Sequence, residues 1–158
     1  MGFTATLLTA ASEYLHAENV GAWNPVGGYR PDDVAITHTR FHPSIDRAIA
    51  MSTYPVSDDA TTDSVVGLQL WIRGVAARAA KPPLPAISAQ EASVSAPNIA
   101  DRAFDALHEL ERVDWGGIPI VRIWRQSQTS HGPDANGREE LSANYYIQLT
   151  RTGTHRRD

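Results

Sequence analysis

The chain contains no cysteine, which excludes disulfide bonds, thiolate catalysis and cysteine-ligated zinc. It also lacks any run approaching the ~18 apolar residues that a membrane-spanning helix requires. Neither sign of charge is in large excess, since the formal net charge is −4. A mildly acidic chain is a poor candidate for a nucleic-acid binder that neutralises phosphates. What remains is an ordinary globular composition, 42% apolar and 20% charged, over a 158-residue length typical of one domain.

Motifs for catalysis and ligand binding are equally scarce. The sequence contains no G-x-S-x-G, S-x-x-K, G-x-x-x-x-G-K or G-x-G-x-x-G pattern. His38 and His42 have the spacing of metal ligands on a helix, but Arg40 lies between them and no apolar helical pattern surrounds them. We therefore interpret them as solvated loop histidines. The sequence predicts no catalytic residue, no metal site and no cofactor, and we expect a protein that is not an enzyme.

The N-terminal segment MGFTATLLTAASEYL has no basic region, and its apolar residues are spaced rather than continuous. It therefore differs from a secretory signal peptide. We expect a protein that is made and folded in the cytoplasm, without a membrane anchor.

Hydrophobic periodicity predicts the order of the elements. An apolar stripe predicts a first helix over about 3–18, and a second begins at Pro97-Asn98 and runs through NIADRAFDALHELERV. Alternation predicts strands at 34–38, 47–54, 65–73, 118–126 and 144–151. Pro55 is expected to end the second of these, because proline cannot donate to a strand ladder. Asn136-Gly137 predicts a turn within a loop over 127–142.

Two segments are predicted to lie outside these elements. Alanine, serine and proline dominate residues 75–97, so we expect either a mobile insertion or an arm that orders on a neighbouring molecule. The charged residues 152–158 are expected to fray. Together, the predicted elements indicate a single α+β domain over residues 1–158. It has two layers, in which an antiparallel sheet of about four to five strands packs against two main helices.

The strand at 65–73 predicts a sheet with two different faces. Val66, Leu68, Leu70 and Ile72 alternate with Gly67, Gln69, Trp71 and Arg73, so one face is aliphatic and the other is not. The same alternation places Trp71, Arg73, Arg122, Trp124 and Tyr146 on the second face. Such residues can simply cover an exposed sheet, or they can form a protein interface, where Trp, Tyr and Arg concentrate. We favour the interface.

The polar connection after Pro55 carries Asp58, Asp59 and Asp63. These residues lack the spacing, central glycine and closing glutamate of a calcium loop. A solvated acidic loop and a charge-steered contact both remain open. The complete set of candidate subunit or partner contacts is Asp58, Asp59, Asp63, Trp71, Arg73, Arg122, Trp124, Arg125 and Tyr146.

Several segments occur together in an order that resembles one protein family. These segments are FTATLLTAASEYL, TYPVSDD, DSVVGLQLWIRG, NIADRAFDALHEL, GGIPIVRIWRQS and NGREELSANYYIQL. The ordered set resembles the tail terminator or minor capsid proteins of tailed bacteriophages, notably those that infect actinobacteria. The departure from the pattern is the segment 75–97.

The resemblance implies a structural virion protein at the head–tail junction, assembled in the host cytoplasm. It implies a ring, usually a hexamer, that caps the tail tube, ends its polymerisation and meets head-completion or connector proteins. The net negative charge of such a ring would let genomic DNA pass through the lumen without specific binding. Contacts between the acidic loop and Arg73, Arg122 or Arg125 of the next copy are a hypothesis. The alternatives are another phage neck or head-completion protein, or an unrelated small α+β binding domain.

Overall fold

The computed structural model describes residues 1–157, and in them two helices and six strands. In chain order these are α1 (Phe3–Ala17), β1 (Ala35–His38), β2 (Ala48–Asp58), β3 (Asp63–Arg73), α2 (Ala89–Leu107), β4 (Glu111–Trp115), β5 (Ile118–Pro133) and β6 (Glu139–Thr150). The α+β class, the first helix and the presence of every predicted strand are confirmed.

The sheet differs from the prediction in strand number and in type. Its six strands lie in the order β1-β2-β3-β6-β5-β4. The β1–β2 pair is parallel and the other pairs are antiparallel, so the sheet is mixed. The additional strand, β4, was missed because it is short and its charged residues leave only Val113 and Trp115 to signal a buried side.

Both helices pack on one face of the sheet. Helix α1 contacts β1, β2 and β4, whereas α2 contacts β3, β5 and β6. Leu68, Leu70 and Ile72 are fully buried beneath them, so the aliphatic face predicted for β3 is confirmed. The opposite face of the sheet has no helix over it within residues 1–157.

Helix α2 begins at Ala89, eight residues before the predicted start at Pro97. The Ser88 hydroxyl accepts a hydrogen bond from the Glu91 amide at 3.1 Å, which is an N-cap that the proline-rich context concealed. Pro97 lies within the helix. Residues 89–97 are therefore helical, and residues 78–87 form a small hairpin closed by bridges from Arg78 to Ile87 and from Lys81 to Leu84.

Four strands are longer than predicted, and in β3 the difference is only Asp63 and Ser64 at its start. Strand β2 continues through Pro55 to Asp58, with an irregularity of register between Pro55 and Ser57. The prediction that Pro55 ends β2 was wrong. The missing N–H of Pro55 would face the outer side of β2, where this part of the strand has no partner strand within residues 1–157, so no ladder hydrogen bond is lost. Strands β5 and β6 take in most of the predicted 127–142 loop, because serine, threonine and glutamine can pair in a ladder.

The C-terminal residues meet the β2–β3 turn. Arg156 donates to the Asp58 carboxylate, the Thr61 carbonyl and the Ser64 hydroxyl, and Thr62 donates its amide to the Arg157 carbonyl. Fraying was expected over residues 152–158; the part up to Arg157 makes these contacts, and Asp158 lies outside the described residues.

His38 joins β1 to α1. Its Nε2 lies 2.8 Å from the Ser12 hydroxyl, which itself donates to the Leu8 carbonyl. A hydroxyl has one proton to donate, so His38 is the donor in this pair and carries its proton on Nε2. The Trp23 ring stacks on the imidazole with centroids 4.6 Å apart. Burial lowers the pKa of His38 below its usual value of 6.5.

We expect this histidine to make folding sensitive to acid. Between its lowered pKa and 6.5, the unfolded chain binds more protons than the folded chain, so the free energy of unfolding falls as the pH drops through this window. His38→Gln keeps an N–H donor but cannot titrate. Urea unfolding at pH 7.5 and pH 5.5 should show a larger loss of stability in the wild type than in the variant. Equal losses would contradict this role.

Candidate interaction face

The sheet surface opposite the helices, here called the open face, is built by alternate residues of four strands. Its central members are Ser52, Tyr54, Gly67, Gln69, Trp71, Arg122, Trp124, Ser127, Ser142, Asn144 and Tyr146. Most of these side chains are half-buried by their neighbours on the face itself. The strand register therefore determines which of them meet.

An aromatic row crosses the open face. The register aligns Tyr54, Gly67, Tyr146 and Trp124 on β2, β3, β6 and β5. The Tyr54 ring covers Gly67 so closely that a Cβ at that glycine would lie 2.2 Å from a ring carbon. The rings of Trp124 and Tyr146 meet edge to face with centroids 5.8 Å apart. Three aromatic side chains thus form one continuous band across four strands.

An amide row lies beside the aromatic band. Asn144 Oδ1 accepts a hydrogen bond from Gln69 Nε2 at 3.2 Å, and Asn144 Nδ2 donates to Ser127 Oγ at 3.2 Å. The Tyr54 hydroxyl also reaches Asn144 Oδ1, at 3.4 Å. These bonds fix the orientation of the amides, so little side-chain freedom is left to lose when a partner binds.

A depression of about 360 Å³ adjoins the amide row. Ala50, Ser52 and Gln69 line it, the 39–41 segment closes one side and Trp71 another. Trp71 is held in place by stacking on His131, with centroids 4.3 Å apart, and by a 3.4 Å hydrogen bond from its Nε1 to Glu140.

The three arginines predicted as contact residues have different positions. Arg73 is only 6% exposed, and its guanidinium donates to the carbonyls of His42, Ile45 and Asp46. It therefore fixes the loop that follows β1, and burial lowers its pKa. Arg122 is exposed and forms a 2.8 Å ion pair with Glu109.

Arg125 lies on the helix side of the sheet, where its guanidinium covers the Phe104 ring of α2 at 4.2 Å. Simple alternation from the buried Ile123 accounts for this position. It fails elsewhere along β5, at irregularities of register between Ile120 and Arg122 and between Arg125 and Ser127. The first leaves Val121 42% accessible, although alternation would place it on the buried face with Ile123.

The acidic residues are partly engaged within the chain. Asp58 pairs with Arg156, and this hydrogen bond lowers the pKa of the Asp58 carboxyl. Asp59 accepts a 2.7 Å hydrogen bond from the Thr61 hydroxyl, which likewise lowers its pKa. Asp63 lies at the start of β3 and is exposed.

Alternation placed Gly67 on the non-aliphatic face, but the predicted set of contact residues did not include Tyr54, Gly67 or Asn144. The signal was present, since a glycine inside a strand is often covered by an aromatic side chain from the neighbouring strand. The strand pairing that brings Tyr54 opposite Gly67 was needed to identify which aromatic side chain does so.

The two histidines considered as metal ligands have separate surroundings. His38 contacts Ser12, whereas His42 accepts a hydrogen bond from the Ser44 amide at 3.1 Å. Across residues 1–157 no group of three or more histidine and acidic residues is arranged to hold a metal ion. Neither of the two helices in this stretch has the length and apolar character to span a bilayer.

Comparison with known proteins shows similarity at the level of structure. No family model and no curated protein matches the chain. Among solved structures, a chain of the virion of a native gene transfer agent (GTA) particle is similar, with a TM-score of 0.61 and 13% sequence identity. The similarity covers 96% of this chain and 100% of that chain. The two chains therefore share a fold over nearly their full lengths.

The contact of Tyr54 with Gly67 can be tested by Gly67→Ala. The added methyl group would overlap the ring, so the ring or the strand must move, and we expect a loss of about 1–3 kcal/mol in the free energy of unfolding. The matched control is the double variant Gly67→Ala/Tyr54→Ala, which removes the overlap and should show strong coupling in a double-mutant cycle. Additive effects in urea unfolding would contradict the packing described.

Proposed function

We propose that this chain is a structural protein of a phage-like virion and acts as a tail terminator. In this role it forms a ring on the tail tube, ends the addition of tube subunits and meets the head-completion or connector proteins. The observation that carries the proposal is the full-length fold similarity to a chain of a GTA virion. The ordered segments that resemble tail terminator proteins support the same role independently.

The open face suits a protein that acts by contact. Its Trp, Tyr and Arg side chains belong to the types that dominate binding energy at interfaces. The Trp71–Glu140 hydrogen bond, the Arg122–Glu109 ion pair and the Trp124–Tyr146 ring contact hold them in place before a partner arrives. We assign the open face to contacts with other virion proteins. Asp59 and Asp63 supply exposed negative charge at one end of β2 and β3 for steering.

A ring of this chain would also carry net negative charge, since each copy contributes −4. A negatively charged lumen repels the phosphate backbone, so DNA would pass without being held. The role requires no catalytic group, metal or cofactor, and we propose none.

Removal of the gene tests the assigned role. A particle that lacks its tail terminator cannot stop tube growth, so negative-stain electron microscopy should show tails longer than those of the wild type. Expression of the intact chain in trans should restore the normal length. Tails of normal length beside unjoined heads would contradict termination and would favour a head-completion role.

Trp124→Ala tests the open face. Loss of this ring removes the edge-to-face contact with Tyr146 and a large part of the aromatic band. If the band is a binding hot spot for other virion proteins, the concentration needed for half-maximal assembly with tail tubes should rise at least about tenfold in sedimentation velocity. The matched control is Trp23→Ala, which removes a half-buried tryptophan stacked on His38, away from the open face. Equal effects of the two substitutions would contradict the assignment.

A further inference from the structure

Two edges of the sheet are only partly covered. Strand β1 pairs with 48–51 of β2, which leaves 52–58 without a strand on the outer side within residues 1–157. Strand β4 pairs with 118–122 of β5, and the outer side of 126–133 likewise has no partner strand in the described chain. Exposed backbone donors and acceptors at a sheet edge are a template for pairing with another chain.

The two free edges have complementary shapes and directions. Successive antiparallel pairings through β3 and β6 make β2 and β5 antiparallel to each other. A β5 edge placed beside the β2 edge of another copy, with the helices on the same side, would therefore continue the antiparallel pattern. Strand β1 covers the N-terminal part of β2, and β4 covers the N-terminal part of β5. The uncovered segment of β2 in one copy therefore fits beside the uncovered segment of β5 in another.

The backbone groups that point outward can be identified from the existing pairings. On β2, the carbonyls of Arg47 and Met51 accept from the β1 side, so Thr53 and Pro55 point the same way. On β5, the amide of Arg125 points outward to His108. The extra residue between Arg125 and Ser127 then shifts the outward positions to 128 and 130.

These positions define a short ladder. Thr53 placed opposite Ser130 of another copy would exchange two hydrogen bonds with it, and the Pro55 carbonyl could accept a third from the Gln128 amide. Pro55 has no N–H, so pairing ends there. A contact of about three hydrogen bonds is long enough to set register and too short to invite indefinite edge-to-edge aggregation.

The same register has the correct geometry for closing a ring. Within one copy, Ser130 is aligned with Ile49 through Leu141 and Ile72. If Ser130 of one copy pairs with Thr53 of another, the two copies are offset by about four residues along the strand direction. Each copy contributes the four strands β2, β3, β6 and β5 to the joined sheet, so this offset accumulates over four strand spacings. With a rise of ~3.3 Å per residue and a strand spacing of ~4.8 Å, the strands tilt by about 35°. Closed cylindrical sheets have tilts of about 35–45°.

We propose that copies of this chain join head to tail by antiparallel pairing of the free β2 edge with the free β5 edge. This inference rests on the proposed ring, and it specifies the contact that builds it. The merged sheet keeps every helix on one surface of the ring and every open face on the other. The interface is heterologous, as a closed ring requires.

Disulfide trapping tests the pairing directly, because the chain has no native cysteine. In the proposed register Ser52 of one copy lies opposite His131 of the next. Within one copy these residues are on β2 and β5, with two strands between them, at least about 14 Å apart and beyond the reach of a disulfide. Ser52→Cys/His131→Cys should give a ladder of covalent multimers on non-reducing gels. A register shifted by two residues would instead crosslink Ser52→Cys/Thr129→Cys and would still support edge pairing.

The matched control is Ser52→Cys/Asn98→Cys, which places the second thiol on an exposed position of α2 and should give no ladder. Rings visible by electron microscopy without a ladder from either edge pair would overturn the edge contact and leave the proposed function standing. A chain that forms no oligomer, alone or on tail tubes, would contradict the proposed ring and this inference together.

Discussion

Burial of one face of the sheet under two helices determines where the other features of this molecule lie. Leu68, Leu70 and Ile72 are removed from water completely, at about 1.5–3 kcal/mol of stabilisation for each large side chain. Because strand residues alternate, this burial sends Gln69 and Trp71 to the opposite surface. Burial of the core therefore determines which residues lie on the open face, and the strand register determines their positions.

The side chains of the open face are held in place by contacts with one another. Tyr54 covers Gly67, Trp124 meets Tyr146, and Asn144 links Gln69 to Ser127. Such a surface is rigid before a partner arrives. We propose that the open face and the two partly free sheet edges are the three places where other molecules attach.

The sequence alone predicted the features that depend on strong local periodicity. The alternation in β3, the stripe of α1 and the turn at Asn136-Gly137 are examples, since each depends on neighbouring residues only. The features that failed depend on non-local pairing. An irregularity in β5 exposes Val121, and Arg73 is buried by carbonyls of a loop about thirty residues away. The cap at Ser88 was a local signal that the nearby prolines outweighed.

The proposal that this chain works as a ring of identical copies within a virion can be checked by cryo-electron microscopy of purified particles. A single ring of this chain is expected between the head and the end of the tail tube, with its sheets joined around the lumen. Complete particles that contain no density for this chain would rule the proposal out.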